Sequence, residues 1–448
     1  MGFASEIRHS LGTTSRSVAV RDFNNDNILD LVVTLAGNSS MAVLLGYGNG
    51  SFYSYMVHKT ASFPQSVVIA DLNNDTHVDL VVLNRNSNNV GILLGHSNGS
   101  FAQQVTYPVD RIPFAMRVAD LNNDARLDIV TTNVAYHTIS VLLGHGDGSF
   151  TNATTIFVGQ IPLALSVADF NKDGYADLIV PSGGSNHVNV FLGYGNGSFD
   201  TPIKYVTGSA PDAVDIHDFN SDGYPDVIVA NSGEATVIVM FGCSNSIFLK
   251  RTTLTAGESA RPSSFAVADA NNDKKIDIVV VSASTNHFGV FLGHGDLSFA
   301  QQIIYPIGTN SSRFAIATGD FNSDTRLDIA IASYDTDSVV VFLGSQNGSF
   351  INRMMHSTGA SSSPSSIAVG RFDSDNNVDI IVTNYNRNEF GVLLGHGDGT
   401  FDDIVSFSTS YGSQPWSIAV ADFNKDGKAD VAVMNNGTDS VSIYLETC

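Results

Sequence analysis

At 448 residues and 43% hydrophobic content, the chain can bury a substantial core, but its formal net charge of −22 leaves no basic excess for binding polyanions. Nucleic acid demands a Lys/Arg footprint and anionic lipid a basic surface, so both are excluded as partners. Two cysteines, Cys243 and Cys448, cannot supply a disulfide framework, and no apolar run reaches the length of a membrane span.

In chain order, MGFASEIRHS (1–10) has neither a basic n-region nor an apolar h-region, and Glu6 stands where a myristoylation signal carries Ser or Thr. For a secreted protein, the export signal is therefore expected outside this chain. Residues 2–11, GFASEIRHSL, align with the strand-like SFAQQVTYPV further on. The first acidic loop follows, DFNNDNILD (22–30). Equivalent loops start at Asp71, Asp120, Asp169, Asp218, Asp269, Asp320, Arg371 and Asp422, four intervals of 49 residues followed by four of 51. So regular a period over the whole chain predicts one domain, residues 1–448, of nine repeats.

Within a repeat the apolar period is two, which predicts strands. In the second repeat SVVIA (66–70) leads into DLNNDTHVD (71–79) and LVVLN (80–84) leaves it. NVGILLG (89–95), the turn HSNGS (96–100) and FAQQVTYPV (101–109) follow. Four short antiparallel strands, A to D, in about 50 residues predict a blade of an all-β propeller. The chain stops at VSIYLETC, which aligns with strand C, so the N-terminal segment can supply the missing fourth strand of the last blade. Arbitrary cuts in a longer array are the alternative; an integral repeat count favours a closed ring of about nine blades.

The loops gather like charges. Two carboxylates about 5 Å apart at an effective dielectric near 20 repel by roughly 3 kcal/mol. Of the 44 acidic residues, 27 lie in the nine loops. Aspartate at position 1, asparagine at 3 and aspartate at 5 can converge, aspartate at 9 closes the site, and position 7 adds a backbone carbonyl. An all-oxygen set with no His or Cys selects Ca²⁺. The candidate ligands are Asp22, Asn24, Asp26 and Asp30; Asp71, Asn73, Asp75 and Asp79; Asp120, Asn122, Asp124 and Asp128; Asp169, Asn171, Asp173 and Asp177. The later repeats add Asp218, Asn220, Asp222 and Asp226; Asp269, Asn271, Asp273 and Asp277; Asp320, Asn322, Asp324 and Asp328; Asp422, Asn424, Asp426 and Asp430. A solvated acidic turn would use the same residue types, but nine copies in register favour ion binding, with eight divalent ions offsetting most of the negative charge.

The loop, together with turns such as LLGHGDGSF (142–150), resembles the FG-GAP/VCBS repeat family, whose best-known members are the integrin alpha-subunit propellers. The likeness spans essentially the whole chain. It implies a calcium ion between strands A and B that stabilises each blade, held in the fourth repeat by Asp169, Asn171, Asp173 and Asp177. This chain departs from integrins in having nine short repeats where they have seven longer ones. Loop position 6 is Gly only at Gly174, Gly223 and Gly427. Asn27 and Asn376 tolerate a left-handed backbone, whereas Thr76, Ala125, Lys274 and Thr325 strain there, so those four loops are expected to bind more weakly. In RFDSDNNVD (371–379), Arg371 replaces the first aspartate. This loop is expected to lack calcium, with Arg371 paired to Asp373 or Asp375.

The turns GYGNGSF, GHSNGSF and GHGDGSF have strands on both sides and so predict tight hairpins rather than phosphate cradles. His96, His145, His294 and His396 share one turn position, one per blade, too dispersed for a common metal. Nine N-x-[ST] sequons occur, at Asn38, Asn49, Asn74, Asn98, Asn152, Asn196, Asn310, Asn347 and Asn436. Four arise from the NGS turn itself, so chance enrichment competes with glycosylation in a secreted life.

The B–C and D–A connections share the face opposite the calcium loops and vary most between repeats. On it Arg85, Tyr136, His187, Tyr334, Tyr385, Arg387 and Trp416 are candidate ligand contacts. Three functional classes compete. The favoured one is an extracellular, calcium-stabilised recognition or adhesion module for an unidentified protein or glycan. The alternatives are a calcium-dependent polysaccharide lyase-like enzyme, for which no catalytic set is legible, and a purely structural array.

Overall fold

The computed structural model describes residues 2–12, 15–53, 55–243, 247–257, 260–282, 285–307 and 314–447; Asn310 and Cys448 lie outside the described residues. The described residues form 36 strands in nine four-stranded antiparallel sheets, each ordered A–B–C–D. In blade 2, Pro64–Ala70 pairs with Asp79–Asn84, which pairs with Asn89–Leu93, and this in turn with Val105–Pro108. The expected start of strand D, at 101, is instead an isolated bridge from Phe101 to Gly95 across the hairpin turn.

The ring closes as the repeat count implies. Ile7–Ser10 pairs with Ser440–Tyr444 and gives the ninth sheet its outer strand. Phe3 bridges Glu446 in the place where Phe101 bridges Gly95. One apolar cluster fills each of the nine interfaces between blades. Blade 1 meets blade 2 through Phe23, Val32 and Val43 against Leu80, Val82 and Phe101. The closing interface sets Leu31, Val33 and Phe52 against Phe423, Met434 and Ile443. Each such side chain contributes about 1.5–3 kcal/mol relative to exposure, so the ring is held by its interfaces.

Burial explains the strand sequences. Strand D lies at the rim and alternates, as in Met56–Lys59. Strand B does not: Asp79–Asn84 is buried at every position because neighbouring blades cover both faces. Strand A lines the centre, where adjacent A strands pack on one another. Most A strands open with a proline followed by a register shift, as at Pro64/Ser66 and Pro415/Ser417. Proline is tolerated at the first residue of a strand because its missing N–H lies outside the ladder.

Candidate metal centres

Each acidic loop caps the A–B corner of its blade and is anchored by its second residue; Phe170 and Phe321, for example, are fully buried. Eight loops share one conformation, typified by the fourth. Asp169 Oδ1 accepts from Asp173 N at 3.1 Å and Oδ2 from Gly174 N at 2.8 Å. Asn171 Oδ1 accepts from Asp173 N at 3.1 Å, and Asp173 Oδ1 from Tyr175 N at 2.9 Å. Positions 4 and 6 are both left-handed, with φ of 58° at Lys172 and 87° at Gly174. The side chains at 1, 3 and 5 therefore turn toward one another, as the alternation predicts. Neighbouring loops also touch: Asn25 donates to Thr76 O at 3.3 Å, and Lys172 Nζ lies 3.9 Å above the Tyr224 ring.

Position 9 has a backbone role beside the expected one of closing the cation site. Asp177 starts strand B, is fully buried, and spends both oxygens on backbone N–H groups. Oδ2 accepts from Phe170 N at 2.9 Å and Oδ1 from Gly193 N at 2.8 Å. All nine blades repeat this clamp between the A–B loop and the end of strand C, from Asp30 to Asp430. The glycine it grips packs tightly: a Cβ on Gly95 would stand 2.1 Å from Val78 O. In blade 9 Glu446 takes that place, and its carboxylate meets Lys428 Nζ at 3.1 Å.

Burial raises the position-9 carboxyls above the ordinary range, against the lowering effect of their two N–H partners, and the carboxylates at positions 1 and 5 push the same way. The result is about 6 at Asp30, Asp177, Asp277, Asp328, Asp379 and Asp430, and about 7 at Asp226. Asp79 and Asp128 are raised in the same direction. The three carboxylates of a loop thus feel one another as like charges.

As donors, positions 1, 3 and 5 fit a hard cation. In the eight loops the Asn amide nitrogen lies 2.8–3.3 Å from the position-5 carboxylate. To ligate a cation, that amide would present its oxygen to the ion and give up its bond to the carboxylate. Among the described residues no three His, Cys, Asp or Glu side chains gather as a metal-holding group. The reason is local: position 3 is an amide and position 9 faces the backbone.

Sequence reasoning missed the role of position 7. His77, Arg126, Lys275 and Arg326 approach the position-5 carboxylates of Asp75, Asp124, Asp273 and Asp324 at 3.1, 3.9, 3.9 and 2.6 Å. These are the four loops whose position 6 is neither Gly nor Asn, and Thr76, Ala125, Lys274 and Thr325 there do adopt φ of 62–70°. A basic residue following a strained one was the available signal.

The eighth loop corrects one expectation. Arg371 is exposed and pairs with neither Asp373 nor Asp375 among the described residues. Those carboxylates are occupied within the loop: Asp373 Oδ1 accepts from Asp375 N at 3.0 Å and Asp375 Oδ1 from Asn377 N at 2.8 Å. Ser374 lacks the left-handed φ that position 4 has elsewhere. The Asp379 clamp persists, at 2.6 and 2.8 Å, so clamp and ligand set are separable.

The glycine-rich turns are hairpins, as expected. Asn49, Asn98, Asn196 and Asn347 each accept from the backbone N–H and the hydroxyl of the serine two residues on. Asp147 and Asp398 do the same with Ser149 and Thr400. Turn chemistry therefore accounts for those four sequons. The four turn histidines sit in separate blades; His396 Nε2 meets Asp402 at 3.2 Å.

On the opposite face the candidates separate into groups. Tyr385 and Trp416 meet across blades 8 and 9, with ring centroids 5.9 Å apart, and the Tyr385 hydroxyl reaches Gln414 Oε1 at 3.1 Å. Arg387, in the same B–C loop as Tyr385, is paired with Glu389 at 2.8 Å. Arg85, Tyr136 and His187 lie on blades 2, 3 and 4, with His187 Nδ1 held at 2.8 Å by Ser185 O. Tyr334 opens a 3₁₀ turn on blade 7.

The profile of the FG-GAP-like repeat matches eight overlapping stretches, 22–82, 71–131, 120–180, 169–229, 218–280, 269–331, 320–382 and 371–433, which together take in all nine loops. The chain belongs to this family. No curated protein matches its sequence. Among solved structures, the V. cholerae biofilm matrix protein Bap1 is similar at 11% identity and a TM-score of 0.42, with 98% of this chain and 91% of that one covered. Virginiamycin B lyase from Staphylococcus aureus is similar at 16% identity and 0.39, covering 74% and 94%. A protein from Desulfotomaculum acetoxidans matches at 14% and 0.43, covering 72% and 94%. Among the described residues no helix is long and apolar enough to cross a membrane.

Proposed function

We propose that this FG-GAP-like propeller is an extracellular recognition or adhesion module, stabilised by calcium, that binds a protein or glycan through its B–C and D–A loop face. The observation that supports this best is the contrast between the two faces. The A–B loops repeat one set of side chains eight times over, whereas the loops opposite share a backbone hydrogen-bond pattern but change their side chains from blade to blade and expose Tyr136 and Trp416. Repetition serves the scaffold, and variation on a rigid scaffold serves recognition.

A divalent cation held by positions 1, 3 and 5 supplies positive charge among carboxylates that otherwise repel. The chain's own residues do the rest: the position-9 clamp fixes each loop to strand C, and the buried second residue fixes it to the core. Weak sites of this kind fill where calcium is abundant, which is outside cells.

The test is capture on glycan and extracellular-protein arrays, with and without chelator, by the parent chain and by Tyr385→Ala/Trp416→Ala. Calcium-dependent capture that substitutions on the B–C and D–A face weaken is the expected result. Capture indifferent to every substitution on that face, or none in calcium, would refute the reading.

A further inference from the structure

The B–C and D–A face is uneven in charge. Around blades 5 to 9 its loops carry Glu234, Asp335, Asp337 and Asp439, beside Arg261 and the Glu389-paired Arg387. Around blades 1 to 4 they carry Arg85 and Arg111, with Arg16 second in the first strand A; of the acids beside them, Asp110 is engaged by the Thr138 hydroxyl at 2.7 Å and Asp212, which reaches Gly183 from blade 5, by the Ser232 hydroxyl. Arg16, Arg85 and Arg111 form no ion pair among the described residues.

Apolar side chains accompany these cations. Ile112 and Ile161 are 36% and 42% exposed, and Phe63 lies beneath the Arg16 guanidinium, 5.4 Å from its ring centroid. All three precede a proline and have positive φ, of 59° at Phe63, 55° at Ile112 and 56° at Ile161. A β-branched residue there is a backbone outlier, and the following proline disfavours the conformation further. The fold does not demand this choice, because Ala210, Ser363 and Gln414 occupy the same position in other blades with the same φ sign. Strained, exposed isoleucines where alanine or serine suffices point to a use.

The three sites form one track. Arg85 N donates to Phe63 O at 3.0 Å, and Ile112 N to Asn88 Oδ1 at 2.9 Å. Val134 N donates to Ile112 O at 3.0 Å, and Ile161 N lies 3.3 Å from His137 Nδ1. Each B–C loop thus joins consecutive D–A loops.

We propose that this track docks an acidic polypeptide segment carrying apolar side chains. The proposal rests on the reading of this face as a recognition surface and names the chemistry of one part of it. A chain of net charge −22 repels an acidic partner almost everywhere, so unpaired arginines beside exposed isoleucine give this region both attraction and register.

The experiment is fluorescence anisotropy on the full chain with labelled Glu-Leu-Ser repeat peptides, with Lys-Leu-Ser and Glu-Ser-Ser repeats as comparison probes. Only the first is expected to bind. R16E/R85E/R111E and I112S/I161S are each expected to weaken it by about fivefold or more, with melting curves checking that both variants fold. Binding of either comparison probe equal to the first, equal competition by polygalacturonate, unaltered affinity in both variants, or no binding of any probe would overturn the track. Array capture lost only in Tyr385→Ala/Trp416→Ala, with the Glu-Leu-Ser peptide silent, overturns the track and leaves the recognition face standing. No capture and no peptide binding overturn both.

Discussion

Replacing Asp177 by alanine isolates the clamp from the cation. The substitution strands two buried N–H groups, Phe170 N and Gly193 N, now 2.9 and 2.8 Å from the carboxylate. An unsatisfied buried donor costs about 1–3 kcal/mol, and two cost about 2–6 kcal/mol. Part is offset at neutral pH, because the lost carboxylate was itself held against burial at about 6. A net loss of about 2–4 kcal/mol remains. Asp173→Ala is the control: its carboxylate is exposed and accepts from Tyr175 N at 2.9 Å and the Asn171 amide at 2.9 Å. Without calcium it should cost less than about 1 kcal/mol. Denaturant midpoints by far-UV circular dichroism, in chelator and in excess calcium, give the comparison. The clamp predicts that Asp177→Ala is destabilised in both conditions and Asp173→Ala chiefly in calcium. If Asp177→Ala matches the parent in chelator and fails only in calcium, position 9 is purely a cation ligand and the reasoning is wrong.

The position-9 carboxyls also set a pH dependence. Their folded values of about 6 to 7 lie above the ordinary 3.8, so their stabilising contribution is present at low pH and lost as pH rises through 6 to 7. Chelated protein should melt higher at pH 5 than at pH 8, a trend that scanning calorimetry would read and that excess calcium should oppose. Ala125→Gly relieves a φ of 62° and should stabilise its blade by about 0.5–1 kcal/mol, measured as a rise in denaturant midpoint. Arg326→Gln removes a 2.6 Å pair from Asp324 and should tighten the calcium site of blade 7 alone by about two- to fivefold in calorimetric titration. Arg371→Asp restores position 1 of the eighth loop and should raise calcium stoichiometry by one; no change would mean that the different backbone at Ser374 governs that loop.

Blade period, blade count, strand order and closure by the N-terminal segment were all legible, because each follows from repetition of turn residues and apolar runs along the chain. The double burial of strand B was less so, since alternation at the rim and continuity at the centre blend within LVVLN. The clamp made by position 9 was not legible for a chemical reason: a carboxylate that accepts two N–H bonds and one that ligates calcium are the same residue type at the same spacing. What separates them is Gly193, sixteen residues away, whose N–H the loop pattern does not mention. Arg371 misled through proximity in sequence. Charges two and four residues away attract on paper, yet Asp373 and Asp375 already accept loop N–H groups, and an exposed ion pair adds little.

Calcium titration of chelator-stripped protein by calorimetry, with stoichiometry checked by native mass spectrometry, tests the account where it matters most. Uptake of eight ions is predicted, four tighter in blades 1, 4, 5 and 9, and four weaker in blades 2, 3, 6 and 7, with the 371–379 loop taking none. An absence of saturable uptake, or a stoichiometry that Asp169→Ala and Asp218→Ala leave unchanged, would contradict it.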